Sequence, residues 1–302
     1  MARRRKGREV NGILLLNKPT GISSNHALQQ AKRAYNAQKA GHTGSLDPLA
    51  TGMLPICFGE ATKISSFLLD SNKAYQTIAT LGISTTTGDA EGVVLEEKPV
   101  ADYSIEKIEK VLARFRGTIQ QLPPMYSALK HQGKPLYELA RKGIDVDIEY
   151  KRREVTIYQL ELLNHQDNKL RLEVHCSKGT YIRTLVEDIG AALGCGAHVS
   201  MLDRRHVSPF EGHTMVELDA LPKLEPEMLD EQLIAMDQGL VHFSKYSLDE
   251  SQSIAIGFGQ KIVADIAEDE LVRLYNYKNQ FVGMGIGLGE GLLKPKRLLK
   301  TN

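Results

Sequence analysis

A carboxylate in a loop and an arginine far along the chain have the clearest chemical potential. Asp47 lies in GHTGSLDPLATG (41–52), which contains three glycines and a proline and shows no periodicity. Pro48 biases Asp47 toward extended backbone, and functional residues are often placed on loops between rigid flanks. Arg183 lies in KGTYIRTL (178–185), and an arginine fork keeps a carboxylate ionised through two hydrogen bonds. Together they would form a nucleophile or base. The alternatives are a turn-forming Asp-Pro and a solvent-facing arginine.

Other candidate sites give weaker signals. Tyr75 could stack on a planar ligand, although a single aromatic residue more often belongs to a core. Cys195 and His198 could be drawn as part of a zinc site, but no CxxC or histidine pair has the usual ligand spacing. The glycines at 283–291 alternate with other residues and do not match a GxGxxG turn that opens a helix. These patterns disfavour both a metal site and a phosphate-binding loop.

Predicted regular elements flank the candidate residues. The segment with Asp47 lies between a predicted helix and a predicted strand. Arg183 lies where a predicted strand is followed by a predicted helix, and Gly194 ends that helix. The predicted strands are 10–16, 53–58, 74–83, 154–163 and 169–176, and the predicted helices are about 23–37, 62–70, 104–115, 135–143 and 180–193. Beyond residue 246 we expect short strands at 253–256, 261–266, 271–277 and 281–286.

Composition and charge narrow the class of protein. The chain has 302 residues, 42% of them hydrophobic and 25% charged, which is typical of a globular protein with about two domains. The longest aliphatic run has four residues, which is too short for a membrane span. The three cysteines of the chain cannot form a disulfide framework, so we expect a cytoplasmic protein. Net charge is +1, yet 130–153 carries +3, 214–240 carries −6, and 3–8 has five cations without an anion. Such patches suggest a basic footprint on one face.

Six segments taken together resemble the TruB family, the bacterial tRNA pseudouridine-55 synthases. The most specific part is KPxGxSS followed by GHTGSLDPLATG. The segments are GILLLNKPTGISSN (12–25), GHTGSLDPLATGMLPICFGEATK (41–63), KAYQTIATLG (73–82), PPMYSALKHQGKPLYELARKGI (123–144), CSKGTYIRTL (176–185) and GCGAHV (194–199). The resemblance implies an isomerase that detaches uracil from its ribose, turns it and rejoins it through C5, with no cofactor and no metal.

The resemblance also implies roles for individual residues. Asp47 matches the catalytic aspartate of the family and Arg183 its arginine partner. Tyr75 matches the tyrosine that stacks on the target uracil and is implicated in handling its C5 proton. The resemblance leaves open whether Asp47 attacks C1′ of the ribose or C6 of the uracil, or stabilises positive charge at C1′.

Three further positions are implied to bind the uridine. His42 matches the histidine associated with the flipped-out nucleotide, and Tyr181 and Leu202 match pocket positions. Where many family members have Leu-Arg-Arg, this chain has Asp203 after the leucine, which we expect to change a contact with the RNA backbone. The basic residues that we expect to contact that backbone are Lys63, Lys130, Lys134, Arg141, Lys142 and Arg204.

The family fold implied is α+β. It is a pseudouridine synthase fold with a mixed, mainly antiparallel sheet flanked by helices, plus a small β-rich, PUA-like C-terminal domain. We expect a basic disordered arm at 1–9, a catalytic domain at 10–245 with an RNA-gripping insertion at about 125–152, and a PUA-like RNA-binding domain at 246–302. The implied partner is tRNA, bound through its TΨC stem-loop by a monomer that needs neither a membrane nor an obligate protein partner.

Three other functions stay open. A non-catalytic RNA-binding or RNA-folding protein could also extrude a base and grip phosphates, and a tRNA-folding role could coexist with isomerisation. An RNA glycosylase would cleave the same bond without rejoining it. A metal-dependent hydrolase would lose its activity in chelator.

Overall fold

The computed structural model describes residues 7–144 and 146–300, and its backbone forms two compact units. The first unit comprises the described residues of Met1–Leu46, Met53–Ser71 and Ser208–Asn302. The second comprises those of Asp47–Gly52 and Asn72–Val207.

The helices and strands are numbered along the chain. The helices are α1 Ser24–Ala34, α2 Ser65–Leu69, α3 Ile105–Leu112, α4 Leu136–Arg141, α5 Ile182–Leu193, α6 Pro226–Glu231 and α7 Glu250–Gly257. The strands are β1 Gly12–Lys18, β2 Ala40–His42, β3 Thr51–Phe58, β4 Lys73–Leu81, β5 Ile83–Thr85, β6 Val94–Glu97, β7 Gly117–Gln121, β8 Lys130–His131, β9 Lys134–Pro135, β10 Arg153–Gln166, β11 Lys169–Cys176, β12 Ala197–Val207, β13 Val216–Glu217, β14 Ser244–Ser247, β15 Ile262–Val263, β16 Leu271–Tyr275, β17 Phe281–Gly287 and β18 Leu292–Leu298.

The second unit is built on a mixed, mainly antiparallel sheet. Its strands follow the order β12-β4-β11-β10-β7 with antiparallel pairing throughout, and the first two residues of β3 pair with β12 in parallel. The predicted strand 169–176 has the bounds of β11, because apolar residues alternate along it and one face is buried. The buried residues of β11 are Leu170, Leu172, Val174 and Cys176.

Two helices complete the core of the second unit. Helices α3 and α5 contact each other. Helix α3 also contacts β10, and α5 also contacts β12 and β4. Ser104 caps α3 by accepting a hydrogen bond from the Lys107 N–H, and α5 ends at Gly194, which has a left-handed φ of 94°. Glycine adopts that conformation without a steric cost, so the helix ends where the sequence predicts. Helix α5 therefore presents Arg183 in its first turn.

The N-terminal part of the first unit surrounds a buried lysine. Strand β1 pairs with β13 in parallel, and β2 pairs with β3 in antiparallel fashion. The ring of Tyr35, which follows α1, packs against Phe58 with 4.6 Å between centroids. Lys18 is fully buried, and its ammonium donates to the carbonyl oxygens of Pro19 and Ile22, each at 2.8 Å. Lys18 thus braces the KPxG turn from inside.

The C-terminal part of the first unit contains a five-stranded sheet in the order β14-β16-β17-β18-β15. The predicted strand at 253–256 is wrong, since these residues belong to helix α7. Asp249 accepts a hydrogen bond from the Gln252 N–H, and the Gln252 side chain accepts one from the Asp249 N–H. This capping box starts a helix before the apolar residues whose run suggested a strand.

The alternating glycines of β17 allow close approach of backbone, as their spacing predicts. A Cβ at Gly283 would collide with the carbonyl oxygen of Arg297 on β18, and one at Gly287 would collide with that of Ala267. Strand β18 itself has no counterpart in the prediction. One buried apolar cluster within this unit joins Ile64, Leu240, Met284 and Leu299. The domain boundary predicted at 245/246 stays a prediction.

The predicted basic arm is described only in part. Residues 3–6 of that cluster lie outside the described residues, whereas Arg8 donates to the backbone oxygen of Tyr35 and pairs with Asp230 at 2.7 Å. Within 7–144 and 146–300, no helix combines the length and the apolar character needed to cross a membrane.

Candidate active site

Asp47 and Arg183 form a side-on ion pair in the second unit. Arg183 Nε lies 3.0 Å from Asp47 Oδ2, and Arg183 Nη2 donates to Asp47 Oδ1 at 3.3 Å. The Arg183 side chain is only 4% exposed, whereas that of Asp47 is 39% exposed. The backbone oxygen of Asp47 also accepts a hydrogen bond from the Ala50 N–H, so the turn geometry of Asp-Pro and the ion pair coexist. The carboxylate is fixed from one side and open on the other.

The remaining donors of the Arg183 guanidinium bind backbone. Nη1 donates to the carbonyl oxygen of Thr87 at 2.7 Å, and Nη2 donates to that of Tyr126 at 2.8 Å. These bonds immobilise the guanidinium on two loops that flank it. Because the fork cannot rotate without breaking them, the carboxylate of Asp47 inherits a fixed orientation.

Asp89 is a second carboxylate beside the same guanidinium, and the sequence reasoning missed it. Its Oδ2 lies 3.8 Å from Arg183 Nε, and its Oδ1 accepts hydrogen bonds from the Thr87 hydroxyl at 2.5 Å and the Glu91 N–H at 3.1 Å. The only available signal was its place in the turn-rich loop TTTGDAEG (85–92), which resembles other surface turns. Asp89 therefore adds a second negative charge beside the guanidinium of Arg183, close to the same Nε that pairs with Asp47.

A further acidic residue adjoins this cluster from the next turn of α5. Burial raises the pKa of Glu187 to about 7, and the charge of Arg183 opposes part of that shift. The carboxyl group lies against the loop, since a Cβ at Gly88 would be 2.8 Å from its Cδ and Oε1. Glu187 therefore changes charge near neutral pH beside the Arg183 network.

Tyr75 lies on β4 with its ring buried. Burial raises the pKa of its phenol to about 12, and the nearby guanidinium of Arg204, which hydrogen-bonds the phenol, opposes part of that shift. The phenol is consequently neutral at physiological pH. It can offer a planar face and a polar hydroxyl, but it does not start as a phenolate base.

The other predicted pocket residues of the second unit lie on the same framework. Tyr181 occupies the N-cap of α5, two residues before Arg183, and Leu202 is buried on β12 opposite Thr77 of β4. Asp203, the departure from the family pattern, accepts a hydrogen bond from the Thr51 hydroxyl at 2.7 Å and pairs with Arg205 at 3.1 Å.

Two predicted residues belong to the first unit. His42 ends strand β2, where it pairs with Ile56 of β3. Lys63 pairs with Glu60 at 2.6 Å and donates to the backbone oxygen of Leu298 at 3.1 Å. Lys63 lines an open groove of about 620 Å³ together with Lys296 and Arg297.

The predicted insertion is a small folded layer with an exposed basic surface. Leu136, Leu139 and Ile148 form a buried cluster of their own. The cations predicted to contact RNA on this insertion are exposed, namely Lys130, Lys134, Arg141 and Lys142.

Arg204 does not fit its predicted role. It is only 1% exposed and interacts with the phenol of Tyr75, so a contact with an RNA phosphate does not suit its placement. The Leu-Asp-Arg-Arg run gave no sign of this, because burial on β12 is decided by the neighbouring strands.

The arrangement supports chemistry by an oriented carboxylate. It offers a nucleophile or an electrostatic stabiliser in Asp47, a fixed counter-ion in Arg183 and a neutral aromatic ring in Tyr75. Among the residues that the structure describes, no three His, Cys, Asp or Glu side chains are grouped so that they could hold a metal ion.

Family models match the chain in three consecutive stretches. The N-terminal domain of TruB family pseudouridylate synthases matches residues 32–182. A tRNA pseudouridylate synthase B C-terminal domain matches residues 183–241, and the C-terminal model of pseudouridine synthase II TruB matches 245–299.

Curated relatives match over nearly their whole length. The tRNA pseudouridine synthase B of Marinomonas sp. (strain MWYL1) is 50% identical over 303 residues, covering 98% of this chain and 97% of that protein. The tRNA pseudouridine synthase B of Escherichia coli (strain K12) is 50% identical over 308 residues, with the same two coverages of 98% and 97%.

Solved structures share the fold. A chain of an H/ACA RNP bound to a substrate RNA containing 2′-deoxyuridine matches with a TM-score of 0.75 at 23% identity, covering 100% of this chain and 92% of that one. A chain of an archaeal box H/ACA sRNP complex matches with a TM-score of 0.72 at 23% identity, covering 99% and 92%. These likenesses support an α+β pseudouridine synthase fold.

Proposed function

The chain belongs to the TruB family of tRNA pseudouridine synthases, and we propose that it modifies uridine 55 in the TΨC arm with Asp47 as the catalytic carboxylate. As a member of this family it is an isomerase that converts uridine to pseudouridine in tRNA. The reaction breaks the N1–C1′ bond, turns the uracil and forms a C5–C1′ bond. C5 loses a proton and N1 gains one, so the composition of the nucleotide does not change.

The oriented carboxylate of Asp47 is the observation that carries the proposal. Arg183 holds both of its oxygens at 3.0 and 3.3 Å, yet the side chain stays 39% exposed and can meet a substrate. An arginine fork favours the ionised carboxylate, which either attack on C1′ or C6 or stabilisation of charge at C1′ requires. Asp89 supports this role because it places a second, buried carboxylate beside the guanidinium.

Tyr75 is proposed as the platform for the detached uracil. A base in folded tRNA is stacked, so the enzyme must extrude it and support it on an aromatic face. The pKa of about 12 keeps the phenol neutral, which favours stacking and hydrogen bonding over a role as a pre-formed base for the C5 proton. Tyr181 and Leu202 would complete the uridine pocket, and His42 would contact the flipped nucleotide.

Phosphate contacts are proposed to supply most of the affinity for tRNA. The insertion presents exposed cations, and so does β18 with Lys294, Lys296 and Arg297. We propose that the insertion and a PUA-like domain at 246–302 grip the RNA backbone. Each neutralised phosphate releases counter-ions, so binding should weaken steeply with salt.

The cellular setting is proposed to be the cytoplasm, with the enzyme acting as a monomer and without an obligate protein partner. Cys57, Cys176 and Cys195 are free and buried, which suits a reducing compartment. A role in tRNA folding is compatible with the same base extrusion and phosphate grip.

The experiment compares Asp47→Asn with wild type on an unmodified tRNA transcript labelled with tritium at C5 of uridine. Wild type should release tritium and place pseudouridine at position 55, whereas the variant should bind tRNA normally and release none. Asp102→Asn, at an exposed loop position, is the matched control. Release by the Asp47→Asn variant at the wild-type rate would exclude Asp47, and an abasic product by mass would favour a glycosylase.

A further inference from the structure

The backbone of Tyr181 is held by a buried glutamine from another part of the second unit. Gln121, the last residue of β7, is 0% exposed. Its Oε1 accepts the Tyr181 N–H at 2.7 Å, and its Nε2 donates to the Tyr181 carbonyl oxygen at 3.0 Å. One primary amide thus satisfies both backbone groups of a single residue.

This bond pair lies at the start of α5. Tyr181 is the N-cap, yet no side-chain cap is formed within the helix, and its carbonyl oxygen also accepts the first intrahelical bond from the Leu185 N–H at 3.1 Å. The amide of Gln121 therefore satisfies the N–H of the N-cap residue, as the N3 side chain of a capping box does in other helices. Because Arg183 follows two residues later, the same contact fixes the entry of the helix that carries it.

The ring of Tyr181 is held separately by an arginine. The guanidinium carbon of Arg153 lies 4.8 Å from the ring centroid, and Nη2 donates to the carbonyl oxygen of Gly179. Gly179 has a φ of 80°, and a Cβ there would be 3.3 Å from the guanidinium carbon. The guanidinium consequently lies between the Gly179 backbone and the tyrosine ring, where stacking is favourable.

Gln121 and Arg153 act from one place in the sheet. They are directly paired residues of the neighbouring strands β7 and β10. Gln121 binds the backbone of Tyr181, and Arg153 contacts its ring, so this residue is held at both its main chain and its side chain. A buried amide costs free energy unless it is fully bonded, which makes Gln121 a demanding choice at a merely structural position.

We propose that Gln121 and Arg153 are positioning residues for Tyr181, which rests on the proposed place of Tyr181 in the uridine pocket. They hold the ring and the first turn of α5 in the geometry that the base must meet when it turns between bond cleavage and rejoining. Neither residue is proposed to touch the reacting atoms. Their loss should slow turnover while the phosphate contacts preserve binding.

The first test removes the amide of Gln121. Gln121→Leu should lower kcat about 10- to 100-fold, the scale expected when a reacting group is misplaced slightly. KM and Kd for tRNA should change by less than about 2-fold, because phosphate contacts supply the affinity. Gln120→Leu, the exposed neighbour on β7, should match wild type and serves as control.

A second variant reports the hydrogen bonds themselves. Ionised Gln121→Glu still accepts from the Tyr181 N–H but opposes the carbonyl oxygen, whereas the protonated acid can donate to it as glutamine does. The kcat of Gln121→Glu relative to wild type should therefore rise as pH falls, while that of Gln121→Leu should not. A ratio that is independent of pH would overturn the role of the amide, even if Gln121→Leu fails to fold.

The third test addresses the ring. Arg153→Met keeps apolar bulk but loses the guanidinium, so kcat should fall about 10-fold, and Arg153→Lys should restore little because it lacks a planar fork. Arg114→Met, at an exposed position after α3 and outside the insertion, is the matched control. Wild-type kcat in Arg153→Met would overturn the role of Arg153.

Wild type on the same transcript separates the two proposals. If wild type forms pseudouridine and the Gln121 and Arg153 variants keep its kcat, only the positioning role is overturned. If wild type forms none, the proposed function is overturned and the positioning role with it.

Discussion

Replacing Arg183 with methionine should inactivate the enzyme and destabilise the second unit. The guanidinium is buried and joins Asp47, Asp89 and the carbonyl oxygens of Thr87 and Tyr126. Methionine fills a similar volume but supplies no donor. The substitution therefore leaves two carbonyl groups without these donors and the buried Asp89 without this cation.

The magnitude follows from the burial of each partner. Removing one member of a buried ion pair costs about 3–5 kcal/mol, and this range applies to Asp89, whose side chain is 6% exposed. The side chain of Asp47 is 39% exposed, so water screens its lost partner and the added cost is about 0–1 kcal/mol. We expect these two losses together to lower the free energy of unfolding by about 3–6 kcal/mol. The kcat should fall at least about 100-fold, because Asp47 loses its fixed orientation.

Urea unfolding and tritium release measure the two effects. The decisive comparison adds Asp89→Asn to Arg183→Met. The double variant should be more stable than Arg183→Met alone, because the uncompensated buried charge is gone, yet it should stay inactive. Unfolding of Arg183→Met at the wild-type urea concentration would contradict a stabilising role for the buried guanidinium. Failure of Asp89→Asn to restore any of the lost stability would contradict the cost assigned to the unpaired Asp89.

Three further outcomes are expected. Glu187→Gln should make the free energy of unfolding less dependent on pH. Burial raises the pKa of Glu187 to about 7 in the folded protein. The contribution of Glu187 to stability is therefore fully present below its unfolded pKa and is lost as the pH rises through about 7. Relative to the variant, wild-type unfolding free energy should drop by about 3 kcal/mol across that window in urea titrations at several pH values. Lys130→Ala and Lys134→Ala should each reduce the slope of log K against log salt by about 1, measured by filter binding of tRNA. Tyr75→Phe should keep tRNA binding and more residual kcat than Tyr75→Leu, since only phenylalanine retains the stacking face, and equal kcat values in the tritium assay would contradict the platform role.

Much of the fold was predictable from local patterns. Strand 169–176 and the closure of α5 at Gly194 follow from alternation and from the one residue that enters left-handed backbone freely. The strand predicted at 253–256 is wrong because a short apolar run suits a strand or a helix equally well, and the capping box that decides for a helix begins upstream at Asp249. Strand β12 was not predicted, because its polar run of Asp203, Arg204 and Arg205 lacks the apolar alternation that indicates a strand.

The candidate site likewise contains residues that the sequence predicts and residues that it does not. Asp47, Arg183 and Tyr75 are predicted from the resemblance of their motifs to the TruB family, and the structure pairs Asp47 with Arg183. Asp89 and Gln121 were missed, because a turn aspartate and a strand-end glutamine are common residues whose partners lie far away in sequence. Arg204 was assigned to phosphate by its charge, whereas its burial beside Tyr75 depends on the pairing of β12 with β4.

The resemblance of the motifs to the TruB family predicts the reaction class and a catalytic role for Asp47, whereas periodicity and turn residues predict most of the helices and strands. The convergence of Asp89 and the carbonyl oxygens of Thr87 and Tyr126 on Arg183 depends instead on tertiary packing. The same is true of the two bonds between the Gln121 amide of β7 and Tyr181. A buried guanidinium or amide forms its hydrogen bonds with the groups that tertiary packing brings near, and these partners lie more than fifty residues away along the chain.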